Sequence, residues 1–405
     1  MILSRSRPAG WPRIVVLTPS WGTSSESQWA LRQVAGALAQ SADVHVITPQ
    51  GASARGYFDG VFTVQEMASA ERLASAIRRQ LLVASLAGRR LEGEALAAKA
   101  ALLDEGQQQW EPAQALLHAL HPDLIVLGDH RHVGAARLAD RVCPDVPLVV
   151  VPLVSAWSEP ADEYYGDVFD RAVCALVFTD DEARQLQAAP GAAPVHVVGL
   201  PMAANPSVQR EPNTYLGEQT YGLVLLGAPW ASPAAGGDVT RLLRVGFPRR
   251  TVAVAATDRL VMLHGGEERQ VGPVERGSDL LRLMAWASLT VDARPGSLFG
   301  RRALESLLYG TPVAVPSRSR ARQHADVGGG GLWFSGPGDL AWCVEALFDD
   351  EVASALGRQG RRYAEERFGD TAAFVERVTQ AVLPVVGAGP VSGPVSGPVS
   401  GPVSA

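Results

Sequence analysis

The chain has 405 residues, of which 47% are hydrophobic and 19% are charged, and its formal net charge is −6. At about 150 residues per domain, this length predicts two or three domains, each with enough apolar residues to bury a core. We do not expect the protein to bind nucleic acid or anionic membranes, because both depend on clustered positive charge. Small molecules or proteins are the partners that this composition favours.

The three cysteines, Cys143, Cys174 and Cys343, are odd in number and far apart. They predict neither a disulfide framework nor a metal site of the Cys-x-x-Cys type. Residues 1–12 lack the continuous apolar core of a signal peptide, and no later run approaches about 18 apolar residues. We therefore expect a cytoplasmic protein without a transmembrane segment.

The first half of the chain alternates between apolar β-branched runs and amphipathic segments. A strand at Ile14–Thr18, a helix at Gln28–Gln40 and a strand at Val44–Thr48 come first. Further strands are predicted at residues 124–127, 148–151, 175–178 and 195–198. An Ala/Leu-rich stretch at about 68–120 predicts a helical insertion. This alternation indicates an N-terminal Rossmann-like α/β domain over residues 1–200.

A second alternating series follows a proline-containing segment, residues 201–218, which we interpret as an interdomain linker. The predicted strands of the series lie at residues 223–226, 251–255, 261–263, 289–292, 312–315 and 332–334. They indicate a second Rossmann-like domain over residues 219–369. Residues 387–405 repeat Gly-Pro-Val-Ser, a low-complexity tail that is expected to be disordered.

The strongest local motif runs from Asp292 to Val313. A strand leads into a loop, a helix begins near residues 299–301, and Gly310 closes that helix before the next strand. Such a junction presents backbone N–H groups and the positive end of the helix dipole, where phosphates bind. Glu305, one turn into the helix, is placed to accept hydrogen bonds from ribose or sugar hydroxyls. A purely structural junction stays the alternative, since every α/β fold contains such turns.

The run Ser297-Leu-Phe-Gly-x-x-x-x-Glu-x-x-x-x-Gly-Thr-Pro-Val resembles the donor-nucleotide motif of family-4 retaining glycosyltransferases of GT-B fold. Similar stretches at 32–49, 122–128, 172–182 and 356–368 extend the resemblance over most of the chain. It implies two Rossmann-like domains facing each other across a cleft, with residues 370–386 crossing back to the first domain as a helix. It also implies transfer from a nucleoside-diphosphate sugar to an unknown acceptor, with retention and without a metal or other cofactor.

The resemblance also implies roles for individual residues. The donor would be bound by Gly227, Ser297, Leu298, Phe299, Gly300, Arg301 and Glu305, with backbone contacts to the diphosphate and with Glu305 on the ribose. The loop at Trp21 and Gly22 would lie on the acceptor side. The candidate catalytic residues are Ser297 and His130.

Several positions depart from the family pattern. Ser297 stands where the family has a sugar-contacting glutamate, residues 228–237 contain no arginine or lysine, and residues 152–155 lack the expected histidine. Losing one preorganised donor typically costs about 10²–10³ in rate. Arg294, Arg301 or Arg302 could compensate, because arginine binds phosphate bidentately. Otherwise the chain would be a weak or inactive GT-B relative that acts as a binding module or as the partner of an active transferase.

Two further interpretations stay open. His130 and His132 follow a predicted strand and could act as a base, although a surface histidine without a catalytic role is the plainer interpretation. A GT-B sugar-nucleotide epimerase would share the fold, but its acid and base cannot be located in this sequence. His264–Glu268 has turn character after a strand, and in this fold it is expected to line the cleft between the domains.

Overall fold

The computed structural model describes residues 10–21, 25–49, 110–129, 133–153, 168–169, 171–187, 193–204, 206, 208, 277–293 and 297–386, together with six strands outside these ranges. None of the helices in these parts of the chain combines the length and the hydropathy needed to cross a bilayer.

The N-terminal half forms a sheet of eight strands, β1 (Arg13–Leu17), β2 (Asp43–Thr48), β3 (Gly56–Asp59), β4 (Phe62–Glu66), β5 (Leu124–Gly128), β6 (Leu148–Val151), β7 (Ala172–Val177) and β8 (Val195–Val197). The strands lie in the order β3-β4-β2-β1-β5-β6-β7-β8. Every neighbouring pair is parallel except β3 and β4, which are antiparallel.

The C-terminal half forms a sheet of seven strands, β9 (Gly222–Leu226), β10 (Thr251–Ala255), β11 (Leu260–His264), β12 (Glu267–Gly272), β13 (Leu289–Asp292), β14 (Val313–Pro316) and β15 (Gly331–Phe334). They lie in the order β12-β11-β10-β9-β13-β14-β15. The strands β10, β9, β13, β14 and β15 are parallel to one another. The edge strands β11 and β12 form a hairpin, and β11 is antiparallel to β10.

The helices of the described residues are α1 (Glu26–Leu38), α2 (Ala113–Leu120), α3 (Val133–Val142), α4 (Asp180–Gln187), α5 (Gly277–Trp286), α6 (Arg301–Leu308), α7 (Ala321–Asp326), α8 (Pro337–Ala346), α9 (Asp350–Phe368) and α10 (Thr371–Val382), followed by a 3₁₀ turn at Leu383–Val385. In the C-terminal part of the chain, α9 leads directly into α10. Nε of Arg377 in α10 donates to the carbonyl of Val198, at 2.8 Å, so α10 packs against the N-terminal domain.

The central strands are continuous apolar runs because both faces of each sheet are covered. In β1, Ile14 and Val16 belong to one buried cluster, whereas Val15 and Leu17 belong to another on the opposite face. Successive side chains of a strand point to opposite faces, so a parallel sheet between two helical layers needs apolar residues at every position. This accounts for the lack of polar alternation in the predicted strands.

In each sheet the connections change direction at one pair of neighbouring strands. From β1 the chain first adds β2 on one side and later β5 on the other, and β9 is flanked in the same way by β10 and β13. Ligands of open α/β sheets bind at the carboxyl edge beside such a switch point. The loops after β1 and β13 are therefore the places where a site is expected.

The carboxyl edges of the two sheets face each other. The ring of Phe178, which directly follows β7, meets the ring of Phe299 edge to face, with centroids 4.8 Å apart. A guanidinium nitrogen of Arg320 donates to Oε1 of Gln185 at 2.7 Å, across the two halves. The predicted fold class, two Rossmann-like α/β domains that face each other, is confirmed.

The sequence did not predict β3, β4 or β12, which all lie in hairpins at sheet edges. Of the predicted insertion at 68–120, only residues 110–120 are described, and they include α2. Residues 205, 207 and 209–218 of the proposed linker and the Gly-Pro-Val-Ser tail lie outside the described residues, so both stay predictions.

Candidate functional site

The loop between β13 and α6 makes a turn that requires glycine. Gly300, at the N-cap of α6, has a φ of +69°, and a Cβ at this position would lie 2.7 Å from Cα of Ala321 and 2.8 Å from Cδ2 of His324. An L residue is strained in this left-handed region, and real Cβ atoms do not approach backbone so closely. The N–H of Gly300 donates to Oγ of Ser297, at 2.9 Å, which closes the turn.

A carboxylate of the N-terminal domain occupies the anion position of this turn. The N–H of Leu298 donates to Oε2 of Glu26 at 2.6 Å, and the N–H of Phe299 donates to the same oxygen at 3.1 Å. The hydroxyl of Ser297 lies 2.9 Å from Oε1 and 3.1 Å from Oε2 of Glu26. Three donors of one loop therefore converge on a single oxyanion, at the start of a helix whose dipole favours negative charge.

Glu26 is held in this position by the start of its own helix. Ser25 and Gln28 form a reciprocal capping box at the N-terminus of α1, which fixes Glu26 as the first helical residue. Trp29 lies one turn further along α1, and the guanidinium carbon of Arg301 sits 4.5 Å from the centre of its ring. Glu26 and Trp29 thus bind the start of α6 from the same face of α1.

Two arginines bind the carboxylate of Glu305. Nε of Arg301 donates to Oε1 at 2.8 Å, and a terminal nitrogen of Arg302 donates to Oε2 at 2.6 Å. Burial lowers the pKa of Arg301, while the neighbouring carboxylate of Glu305 opposes this change. A carboxylate has about four acceptor positions, so both oxygens of Glu305 keep capacity for a further hydrogen bond.

His324 supports the turn from behind. Its Nε2 lies 2.6 Å from the carbonyl oxygen of Phe299, and its Nδ1 lies 3.1 Å from the hydroxyl of Tyr363. Burial lowers the pKa of His324 to about 4 and raises the pKa of Tyr363 to about 12, so both are neutral at pH 7. A carbonyl only accepts, so Nε2 carries the proton and Nδ1 accepts from Tyr363.

Two strained residues mark the carboxyl edge of the first sheet. Asp129 directly follows β5 with a φ of 75°, and Leu153 lies two residues after β6 with a φ of 53°. Both are almost fully buried. Non-glycine residues in this region cost about 1–3 kcal/mol each and cluster at functional sites. The edge that faces the second domain is therefore the part of the first sheet most suited to a ligand.

The structure brings together most of the predicted donor residues, namely Ser297, Leu298, Phe299, Gly300, Arg301 and Glu305. Trp21 is buried in the N-terminal domain, on the loop after β1. Gly22, His130, Gly227 and Arg294 lie outside the described residues, and their roles stay predictions.

The expectation that His264–Glu268 lines the cleft was wrong. Because β11 is antiparallel to β10, Leu263 pairs with Val252 near the start of β10, and His264 follows at the amino edge of the sheet. The loop before α6 lies at the opposite, carboxyl edge.

Sequence analysis missed Glu26, Trp29 and His324. The spacing of Ser25 and Gln28 was a usable signal, because Ser-x-x-Gln is a capping box that predicts a helix start at residue 26. It would have placed Glu26 directly after the loop of Trp21 and Gly22. No comparable local pattern identifies His324, which lies in the short helix α7.

No family model matches the chain, and no curated protein sequence matches it. Solved structures do. Sucrose-phosphate synthase from Thermosynechococcus elongatus has a TM-score of 0.65 at 14% identity, over 93% of this chain and 100% of that chain. HepE from Anabaena, in complex with UDP and glucose, has a TM-score of 0.63 at 15% identity, over 92% and 99%.

The α,α-trehalose-phosphate synthase (UDP-forming) from Burkholderia vietnamiensis has a TM-score of 0.63 at 13% identity, over 93% of this chain and 100% of that chain. All three similarities extend over both domains. They establish that the chain has the fold of GT-B glycosyltransferases.

Proposed function

We propose that the protein binds a nucleoside-diphosphate sugar between its two domains and transfers the sugar to an acceptor with retention, as family-4 glycosyltransferases do. The observation that carries this proposal is the convergence of three donors, from Ser297, Leu298 and Phe299, on one oxyanion. The HepE structure was solved with UDP and glucose, and that protein shares the fold of this chain. A UDP-sugar is accordingly the first donor to test.

In this scheme the donor diphosphate takes the position that the carboxylate of Glu26 fills. The amides of Leu298 and Phe299 and the dipole of α6 stabilise the charge that develops on the departing nucleoside diphosphate. Glu305 binds the ribose through its remaining acceptor positions, with Arg301 and Arg302 holding it in place. Arg301 also supplies positive charge one residue after the turn.

The acceptor would bind to the N-terminal domain, near Trp21, Gly22 and His130, and Gly227 would approach the donor from the end of β9. Domain closure about residues 201–218 would then assemble the site and exclude water. Charge stabilisation in this scheme comes from amides and arginines, so it is proposed without a divalent metal.

Calorimetry with a panel of UDP-, GDP- and ADP-sugars tests the donor site, with Ser297→Ala as the informative variant. The comparison is made in the Glu26→Ala background, because in the wild type the hydroxyl of Ser297 also binds the carboxylate of Glu26. One hydrogen bond to a charged group is worth about 1.5–3 kcal/mol, so the loss of this hydroxyl should weaken donor binding by about 10–100-fold there. Ser335→Ala, at an exposed serine, is the matched control and should bind normally. If Ser297→Ala and Ser335→Ala bind the donor equally well, the proposal is rejected. It is also rejected if neither the folded wild type nor its folded Glu26 variants bind any donor.

The second candidate function is a GT-B relative that binds a nucleotide sugar or a partner without turnover. The contact of Glu26 with the turn favours it, since a side chain already satisfies the donors that a substrate would need. Ser297 in place of the glutamate of the family motif points the same way. The test measures binding and hydrolysis of the donor at millimolar concentration. If the donor binds but is not hydrolysed to sugar and nucleoside diphosphate, this candidate is favoured over the transferase.

A further inference from the structure

We propose that Glu26 acts as an internal competitor of the donor diphosphate, so that the site is closed until the carboxylate leaves. This inference rests on the proposed function, because it assigns a mode of regulation to the same site. It is motivated by the contact between two domains, in which Ser297, Leu298 and Phe299 of one domain bind the Glu26 carboxylate of the other.

The competition follows from the number of donors. Each backbone amide has one proton, and the amides of Leu298 and Phe299 both direct it at Oε2 of Glu26. A phosphate oxygen at this position would need the same two protons. The phosphate oxygen and Oε2 of Glu26 both carry negative charge, so they also repel each other. The diphosphate and the carboxylate therefore cannot occupy the turn together.

A second contact joins α1 to the start of α6 beside that of Glu26. Trp29 packs under Arg301 on the same face of α1, and Glu26 is fixed at the first position of the helix by the capping box. Displacing the carboxylate thus favours a movement of α1 away from the start of α6. The same movement frees the guanidinium of Arg301 from the ring of Trp29, which makes its charge available to the bound diphosphate.

In the closed state the carboxylate of Glu26 binds the turn, and in the open state it has left. The more this contact favours the closed state, the more it should weaken donor binding. A ligand that binds only the open state has an apparent affinity reduced by the open fraction. Couplings of this kind between sites typically correspond to about 5–150-fold. We expect Glu26→Ala to lower the Kd for UDP by about tenfold or more. Glu26→Gln, which keeps the shape and one acceptor but loses the charge, should have an intermediate effect.

The experiment measures the Kd of UDP, GDP, ADP and inorganic pyrophosphate by calorimetry on the full chain. It compares wild type, Glu26→Ala, Glu26→Gln and the control Glu366→Gln, which changes the net charge equally at an exposed position of α9. Circular dichroism checks that each variant is folded. Small-angle scattering without ligand gives a second reading, because the radius of gyration should increase in Glu26→Ala and stay unchanged in the control.

The outcomes separate the two proposals. Tighter binding by both Glu26 variants, with the control at the wild-type value, supports the internal competitor. Binding by wild type that is equal to or tighter than that of the Glu26 variants overturns the competitor and leaves the donor site standing. An absence of binding in wild type and in both folded Glu26 variants rejects the donor site, and the competitor with it.

Discussion

Replacing Gly300 with alanine perturbs the turn that presents the amides of Leu298 and Phe299. The new Cβ would meet Cα of Ala321 at 2.7 Å, and the φ of +69° would have to be kept by an L residue. The left-handed conformation costs about 1–2 kcal/mol and overpacking about 1–3 kcal/mol. The lower entropy of the unfolded chain returns about 0.4–1 kcal/mol. The expected net loss of unfolding free energy is about 1–4.5 kcal/mol.

Urea denaturation measures this loss, and Gly338→Ala provides the matched control. A Cβ on Gly338, in the first turn of α8, would have no atom within 4 Å, so the same substitution there should be neutral or stabilise by up to about 1 kcal/mol. Gly300→Ala should also weaken UDP binding, since α7 or the turn must shift to accommodate the methyl group. If both variants unfold at the same urea concentration, the turn does not need the left-handed conformation, and the account of its rigidity is wrong.

The remaining predictions concern pH and packing. Burial raises the pKa of Glu182 to about 7. Its contribution to the unfolding free energy is therefore present below pH 4.5 and lost as the pH rises toward 7. The contribution of His324 has the opposite slope, because its lowered pKa makes it present above pH 6.5 and lost as the pH falls toward 4. In wild type the two pH effects oppose each other, whereas Glu182→Gln keeps only that of His324. Between pH 4.5 and 7 the unfolding free energy of the variant should therefore rise relative to wild type by as much as about 3 kcal/mol. Parallel curves for both proteins would show that Glu182 is ionised throughout. Phe374→Ala removes a buried ring of α10 and should cost about 3–5 kcal/mol in urea denaturation, whereas Gln380→Ala on the exposed face should stay within about 0.5 kcal/mol; a small loss at Phe374 would mean that α10 contributes little to the N-terminal domain.

The sequence predicted the central strands well because their signal is local. β5 and β13 are short apolar runs bounded by polar or turn residues, and the structure has them at Leu124–Gly128 and Leu289–Asp292. The edge strand β12, Glu267–Gly272, was missed because it begins with three charged residues and has no apolar alternation. Edge strands are stabilised mainly by backbone pairing with a neighbour, and charged side chains are common there. A search for apolar patterns does not detect them.

The cluster of residues at the start of α6 could also be predicted, because Ser297 to Glu305 form one continuous motif. The carboxylate that contacts this cluster could not. Glu26 and Ser297 are 271 residues apart in the chain, and their contact depends on how two domains are oriented. No property of residues near Glu26 indicates that its carboxylate reaches the second domain. The pairing of Glu305 with Arg301 and Arg302, in contrast, follows from helical spacing and could have been anticipated from the sequence.

Two hydrogen bonds hold the turn before α6 without any contribution from Glu26. His324 is neutral near pH 7 and donates to the carbonyl of Phe299, while Gly300 donates to Ser297, and neither bond involves the N-terminal domain. These two hydrogen bonds can therefore persist whether or not Glu26 is bound. A site whose donors are already oriented stabilises an incoming anion without reorganisation at the moment of binding. The cost of donor binding then lies in separating α1 from α6, and changes at Glu26 should alter affinity without altering the geometry of the bound diphosphate.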